Sequence, residues 1–127
     1  MPQEKILIVD DDPDVILFLS TVLKDNGYFV IDARNGQEGL DKAQSEHPDL
    51  ILLDLMMPEK SGISMLSDLA ADAATEKIPV IMVTGVSGEA GIDLESFFKG
   101  GSVVPQGVVQ KPVDPEELLR LIKKALG

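Results

Sequence analysis

The sequence predicts an α/β fold built on one doubly wound, five-stranded parallel sheet with helices on both faces. Five short apolar runs, rich in Val, Ile and Leu, recur along the 127 residues. Continuous apolar runs of this kind are typical of strands that are buried on both faces. The segments between them repeat their apolar residues every three or four positions, which indicates helices. Strands that alternate with helices in this way form parallel sheets with right-handed crossovers.

Four of the five apolar runs are uninterrupted, whereas the last is only a pair of valines that follows a glycine. The predicted strands, in chain order, are Ile6–Val9, Tyr28–Ile31, Leu50–Leu53, Val80–Val83 and Val108–Val109. No linker, internal repeat or low-complexity segment divides the chain. We therefore expect a single domain over residues 1–127.

The helices are predicted from their spacing and from their start signals. Asp12-Pro13 and Asp114-Pro115 are two such signals, because Asp accepts a hydrogen bond from a free first-turn amide and Pro fits the first helical position. The second signal places the last helix over Pro115–Leu126. The residues whose spacing predicts apolar helical faces are Val15, Phe18, Leu19 and Val22, then Met65, Leu66 and Leu69, and finally Leu118, Leu119, Ile122 and Leu126.

The composition excludes several classes of protein. A net charge of -11, from 22 acidic and 11 basic residues, argues against nucleic acid and against an anionic membrane surface as direct ligands. No apolar run approaches the roughly 18 residues of a membrane-spanning helix, and the start of the chain lacks a signal-peptide pattern. Cysteine is absent, which excludes disulfides and thiolate chemistry. A cytoplasmic protein is the simplest expectation.

Chemistry-bearing residues follow the predicted strands at their carboxyl ends, where open parallel sheets bind their ligands. The first predicted strand runs into Asp10, Asp11 and Asp12. The third is followed by Asp54, the fourth by Thr84, and the fifth runs into Lys111. Clustered carboxylates repel one another, and a hard cation such as Mg²⁺ relieves that repulsion through oxygen ligands. An Asp beside such an ion can act as a nucleophile toward a phosphoryl group. The set predicts metal-assisted phosphoryl transfer.

Taken singly, each of these residues has a more ordinary interpretation. Asp12 is more often a helix cap than a metal ligand, and Thr84 and Lys111 alone would be an ordinary strand-end residue and a surface lysine. Asp54 is harder to explain in this way, since it directly follows a buried apolar run. The hypothesis depends on all of them meeting at one edge of the sheet.

These residues lie in stretches that closely resemble the receiver domain of two-component response regulators. The stretches are ILIVDDDPDV at 6–15, PDLILLDLMMPEKSG at 48–62, IPVIMVTG at 78–85 and VVQKPVDPEELL at 108–119. They occur in the family's order and cover essentially the whole chain. The resemblance implies the flavodoxin-like strand order 2-1-3-4-5.

The resemblance also implies a role for each site residue. Asp54 would accept the phosphoryl group from the phosphohistidine of a sensor histidine kinase or phosphotransfer protein. Asp10, Asp11 and Asp54, with the carbonyl of Met56, would hold Mg²⁺, Asp10 partly through water. Thr84 would be the switch hydroxyl. Lys111, followed by a cis bond to Pro112, would contact the phosphoryl group in a domain that catalyses only its own phosphorylation and dephosphorylation.

Two features depart from the family pattern. Val108 stands where the family usually has a Tyr or Phe, so a ring that swings inward with Thr84 cannot be carried over. The stretch from Thr84 to Lys111 is longer than usual and holds six of the eleven glycines. It is interpreted first as an irregular fourth helix and second as a remodelled signalling face. Output is still expected through the fourth and fifth strands and the helices that follow them.

Several alternatives are weighed against this interpretation. A haloacid-dehalogenase-type phosphatase would need a Thr two residues after Asp12, and Asp14 stands there instead. The glycines in TGVSGEAG at 84–91 do not fit a dinucleotide fingerprint. A receiver-like docking module that is never phosphorylated remains the main non-enzymatic alternative. His47, the single histidine, is expected to be an exposed loop residue rather than a relay histidine.

Some properties are not specified by any residue pattern. They include the cognate kinase and the downstream target. The chain could be a complete stand-alone receiver of the chemotaxis type or a fragment of a larger regulator. A homodimer is compatible with the sequence, but its geometry cannot be predicted.

Overall fold

A computed structural model describes residues 3–54, 62–84 and 107–127. The five strands are β1 (Lys5–Val9), β2 (Phe29–Ala33), β3 (Leu50–Leu53), β4 (Val80–Thr84) and β5 (Gly107–Gln110). The helices of the described ranges are α1 (Pro13–Asp25), α2 (Gly36–Glu46), α3 (Gly62–Ala71) and α4 (Pro115–Leu126). All neighbouring strands are parallel, in the order β2-β1-β3-β4-β5. The predicted α/β class, strand number and strand order are confirmed.

Two apolar clusters lie on opposite faces of the sheet. Because successive side chains of a strand point to opposite faces, Leu7 and Val9 of β1 face α2 and α3, whereas Ile6 and Ile8 face α1 and α4. The same alternation continues in β3, whose four residues are all buried. The sheet is therefore covered on both sides, which explains why its strands appear in the sequence as unbroken apolar runs.

The second strand lies later in the chain than the apolar run predicts. Tyr28 does not belong to it, because its amide donates to the carbonyl of Leu23 and closes the turn after α1. The strand instead pairs along the whole of β1, from Lys5 opposite Phe29 to Val9 opposite Ala33. The polar residue Asp32 is tolerated in β2 because β2 is an edge strand and is only partly buried.

The buried face of α1 differs from the predicted one. Ile16, Leu19 and Leu23 are buried against the sheet, whereas Phe18 is 43% exposed. The neighbouring Leu17 is 67% exposed. The helix therefore presents two large apolar side chains to solvent.

Both predicted cap signals are confirmed. The carboxylate of Asp12 accepts a hydrogen bond from the amide of Asp14, and Asp114 accepts one from Glu116 in the same way. The last helix has the predicted bounds, and His47 is an exposed residue at the end of α2 with φ of 49°. Within the three described ranges, no helix has the length and hydropathy needed to cross a membrane.

Candidate functional site

The topology brings three strand ends together. Asp10 follows β1, Asp54 follows the adjacent β3, and Lys111 follows β5 at the same edge of the sheet. Backbone hydrogen bonds extend the ladder one residue past the strands: the amide of Asp54 donates to the carbonyl of Val9 at 2.9 Å. Asp10 and Asp54 are thereby held on neighbouring strands at the point where both strands end.

Three carboxylates converge at this edge. One oxygen from each of Asp10, Asp11 and Asp54 lies within 4.8 Å of the others. Asp10 and Asp54 are only 2% and 5% exposed, whereas Asp11 is exposed. Like charges at this separation repel, and burial strengthens the repulsion because little water screens it.

Lys111 supplies a positive charge to the two buried acids. Its Nζ donates to Oδ2 of Asp10 at 2.9 Å and lies 3.6 Å from Oδ2 of Asp54. Burial alone would lower the pKa of Lys111, but the hydrogen bond and charge of Asp10, together with Asp54, outweigh it and raise the pKa above its ordinary value. The lysine is therefore a fixed cation at neutral pH. The peptide bond to Pro112 is cis, as the resemblance implied.

The second oxygen of Asp10 also has a donor. The amide of Asp12 donates to Oδ1 of Asp10 at 2.9 Å. The carboxylate of Asp10 is thus held from two sides, by Asp12 on one oxygen and by Lys111 on the other. Sequence reasoning assigned Asp12 the role of a helix cap, which it has, but did not identify this bond to the site.

The donor set fits a small divalent cation. Three carboxylate oxygens within 4.8 Å of one another are hard ligands of the type that Mg²⁺ binds. One of the three acids is exposed, so an ion has access from solvent. The residues present are therefore compatible with a magnesium ion bound by Asp10, Asp11 and Asp54.

The remaining predicted residues are only partly placed. Thr84 ends β4 and pairs with Gln110 of β5, one residue before Lys111. Met56 lies outside the described residues, as does the glycine-rich segment between β4 and β5. Val108 is part of β5, where it packs against the apolar cluster on the α2 and α3 face of the sheet.

Comparison with known proteins identifies the family. Residues 6–123 match the model of the response regulator receiver domain. This chain belongs to that family. The match spans every site residue predicted from the sequence, from Asp10 to Lys111.

Curated relatives include receivers of similar length and longer regulators. The chain is 37% identical over 123 residues to the protein PilH of Pseudomonas aeruginosa, covering 97% of this chain and 98% of PilH. It is 33% identical to the polar-differentiation response regulator DivK of Brucella ovis, with 98% and 97% covered. Against the probable transcriptional regulator ycf27 of Porphyridium aerugineum it is 35% identical over 99% of this chain, but it spans only 49% of that relative.

Solved structures share the whole fold. The chemotaxis protein CheY4 of Vibrio cholerae superposes with a TM-score of 0.85 at 30% identity, covering 98% of this chain and 99% of CheY4. A CheY-like receiver domain from Methanospirillum hungatei gives 0.85 at 32% identity, with 98% and 94% covered. The receiver family and its fold are thus supported by sequence and by structure.

Proposed function

We propose that this receiver accepts a phosphoryl group on Asp54 from the phosphohistidine of a sensor histidine kinase or phosphotransfer protein, with Mg²⁺ bound beside it. The observation that carries the proposal is the placement of Asp54: it is 5% exposed, belongs to a cluster of three carboxylates, and lies 3.6 Å from the lysine ammonium. A buried acid in such a group needs a chemical reason.

Each residue has a defined task in the proposed reaction. A carboxylate oxygen of Asp54 attacks phosphorus, the bond from phosphorus to the donor imidazole nitrogen breaks, and the nitrogen keeps the bonding electrons. Lys111 neutralises charge on the phosphoryl oxygens, and its raised pKa keeps it charged while it does so. Asp10 and Asp11, together with Asp54, would hold Mg²⁺, which would supply further charge neutralisation. Thr84, at the end of β4, would donate its hydroxyl to the phosphoryl group.

The exposed face of α1 supports a protein as the phosphoryl donor. An open groove of about 290 Å³ adjoins Lys111 and is lined by Val15, Phe18, Pro112 and Val113, with Asp14 at its edge. Phe18 and the adjacent Leu17 are large apolar side chains exposed to solvent. We propose that the donor protein packs on this surface when its phosphohistidine reaches Asp54.

Intact-mass spectrometry after incubation with acetyl phosphate tests the acceptor. The unmodified chain should gain one phosphoryl group only when Mg²⁺ is present, and Asp54→Ala should gain none. Asp32→Ala is the matched control, because it removes an Asp from the neighbouring end of β2 and should leave the adduct intact. If no adduct forms and beryllofluoride does not bind, this proposal is wrong and the alternative takes its place. That alternative is a docking module that is never phosphorylated, and it is favoured by Val108 at the position where the family usually has an aromatic residue.

We further propose that the protein acts in the cytoplasm. Its signal would pass through β4, β5 and α4 to a target that the residues do not identify. Self-association after phosphorylation is one route for that output. Sedimentation velocity with and without acetyl phosphate and Mg²⁺ measures it directly. A mass that does not change with phosphorylation would exclude this route and leave a heterologous target.

A further inference from the structure

Asp12 joins the start of α1 to the acidic pair through two separate hydrogen bonds. Its carboxylate accepts from the amide of Asp14, and its own amide donates to Oδ1 of Asp10, each at 2.9 Å. We infer that Asp12 is a positioning residue: by capping α1 it holds its amide against Asp10, and so fixes the Asp10 carboxylate within the proposed metal site. This inference rests on the proposed Mg²⁺ site.

The backbone of Asp12 is restrained from the helix side. It has the extended conformation of a cap residue, with φ of -93° and ψ of 113°. Its carbonyl accepts the first helical hydrogen bond, from the amide of Ile16 at 3.1 Å. The side-chain bond to Asp14 closes the same turn. The direction of the Asp12 amide is therefore set by the cap.

That direction determines the orientation of Asp10. One oxygen of Asp10 is held by the amide of Asp12 and the other by Lys111, so the carboxylate cannot rotate without breaking a charge-assisted bond. Asp11 lies in the chain between these two anchored residues, which restrains its backbone. A site of this kind loses affinity when its supporting groups allow its ligands to move.

The chain contains a matched control for the cap. Asp114 precedes Pro115 as Asp12 precedes Pro13, and it caps α4 with φ of -84° and ψ of 115°. Its carboxylate accepts from Glu116 at 3.0 Å and its carbonyl accepts from Leu118 at 3.0 Å. Asp114 is not a member of the carboxylate cluster found among the described residues. Removing this cap should cost stability without disturbing the metal site.

Mg²⁺ binding measured by calorimetry, beside urea unfolding in EDTA, separates the two roles. Asp12→Ala and Asp114→Ala should shift the urea midpoint by similar amounts. Only Asp12→Ala should weaken Mg²⁺ binding. The expected loss of affinity is about fivefold, which corresponds to the roughly 1 kcal/mol that a typical helix cap contributes. Asp12→Asn keeps the acceptor without the charge and should stay within about twofold of the unmodified chain. Saturating Mg²⁺ should restore the acetyl phosphate reaction of Asp12→Ala.

Three results would overturn the inference. Equal Mg²⁺ affinity in Asp12→Ala and Asp114→Ala would show that the cap is only structural. Equal weakening in Asp12→Asn and Asp12→Ala would show that Asp12 acts by its charge. An unmodified chain that binds no Mg²⁺ would remove the metal site and this inference together. If Asp12→Ala does not fold, Asp12→Gly, a better-tolerated cap that also lacks the acceptor, gives the same comparison.

Discussion

Replacing Asp54 by Asn should make the metal-free protein more stable while abolishing its capacity to accept a phosphoryl group. Asp54 is a buried carboxylate that faces two other acids and one lysine. The amide of Asn has nearly the same shape and can both donate and accept hydrogen bonds, but it carries no charge. The substitution therefore isolates the electrostatic effect of the charge from that of the packing.

The magnitude follows from the distances in the cluster. With an effective dielectric constant of about 20, unit charges at the 4.8 Å limit of the cluster repel by about 3.5 kcal/mol for each pair, and Asp54 has two such neighbours. The attraction to Lys111 at 3.6 Å is about 4.6 kcal/mol on the same scale. Among these charges alone, the repulsion on Asp54 exceeds the attraction by about 2 kcal/mol. Asp54→Asn should gain about that amount.

Urea unfolding in EDTA measures the gain, with Asp25→Asn as the control. Asp25 ends α1 and is exposed, so removal of its charge should change the free energy of unfolding by no more than about 0.5 kcal/mol. Added Mg²⁺ should then narrow the difference between Asp54→Asn and the unmodified chain, because an ion that binds only the folded state stabilises it. An Asp54→Asn protein that is no more stable than Asp25→Asn would refute the electrostatic argument.

Three further perturbations test the packing and the titration behaviour. A methyl group at Gly39 would lie 2.9 Å from a methyl carbon of Val9 and 3.0 Å from Cε of Met65, so Gly39→Ala should destabilise the fold by about 1 to 2 kcal/mol. In the double variant, Val9→Ala should relieve part of that effect, as measured by urea unfolding. Tyr28, whose pKa is raised above 10.0 by burial and by Glu4, should ionise at lower pH in Glu4→Gln but still above 10.0, as followed by tyrosinate absorbance. The pKa of Lys111 is raised in the folded state, so the stability that its charge contributes is complete at pH values below the ordinary lysine pKa of 10.5. That contribution should be lost as the pH rises beyond 10.5. The difference in free energy of unfolding between Lys111→Met and the unmodified chain, at neutral and at alkaline pH, measures it.

Much of the fold follows from patterns that are local in the sequence. Strands that are buried on both faces appear as continuous apolar runs, which makes them recognisable in the sequence. An Asp-Pro pair marks the start of α4, and this helix could be predicted with its observed bounds. The face of α1 could not be predicted in this way. The helix contains seven apolar residues, and two overlapping stripes have helical spacing. Only the position of the helix over β1 and β2 determines that Ile16 is buried and that Phe18 is exposed.

The candidate site divides in a similar way between what is local and what is not. The convergence of Asp10, Asp54 and Lys111 is predictable because parallel strands end at one edge of the sheet. Which oxygen meets which donor is not, because the bond from Lys111 to Asp10 joins residues 101 positions apart and depends on the register of every strand between them. The hydrogen bond from the Asp12 amide to Asp10 joins residues only two positions apart. The sequence does not predict it, because an Asp before Pro is equally typical of a helix cap that makes no such bond.

The proposed phosphorylation of Asp54 would change the electrostatic balance at the strand ends. Among the residues that the structure describes, three carboxylates and one ammonium lie at this edge, so these side chains carry an excess of negative charge. The proposed phosphorylation would replace the single charge of Asp54 by about -1.5 to -2 and would increase that excess. Any cation that joins the site therefore stabilises the phosphorylated form more than the unmodified form. The acids that are expected to weaken the metal-free fold would therefore also couple its stability to Mg²⁺ and to the phosphoryl group. A variant that is stabilised by removing one of these acids should lose that coupling.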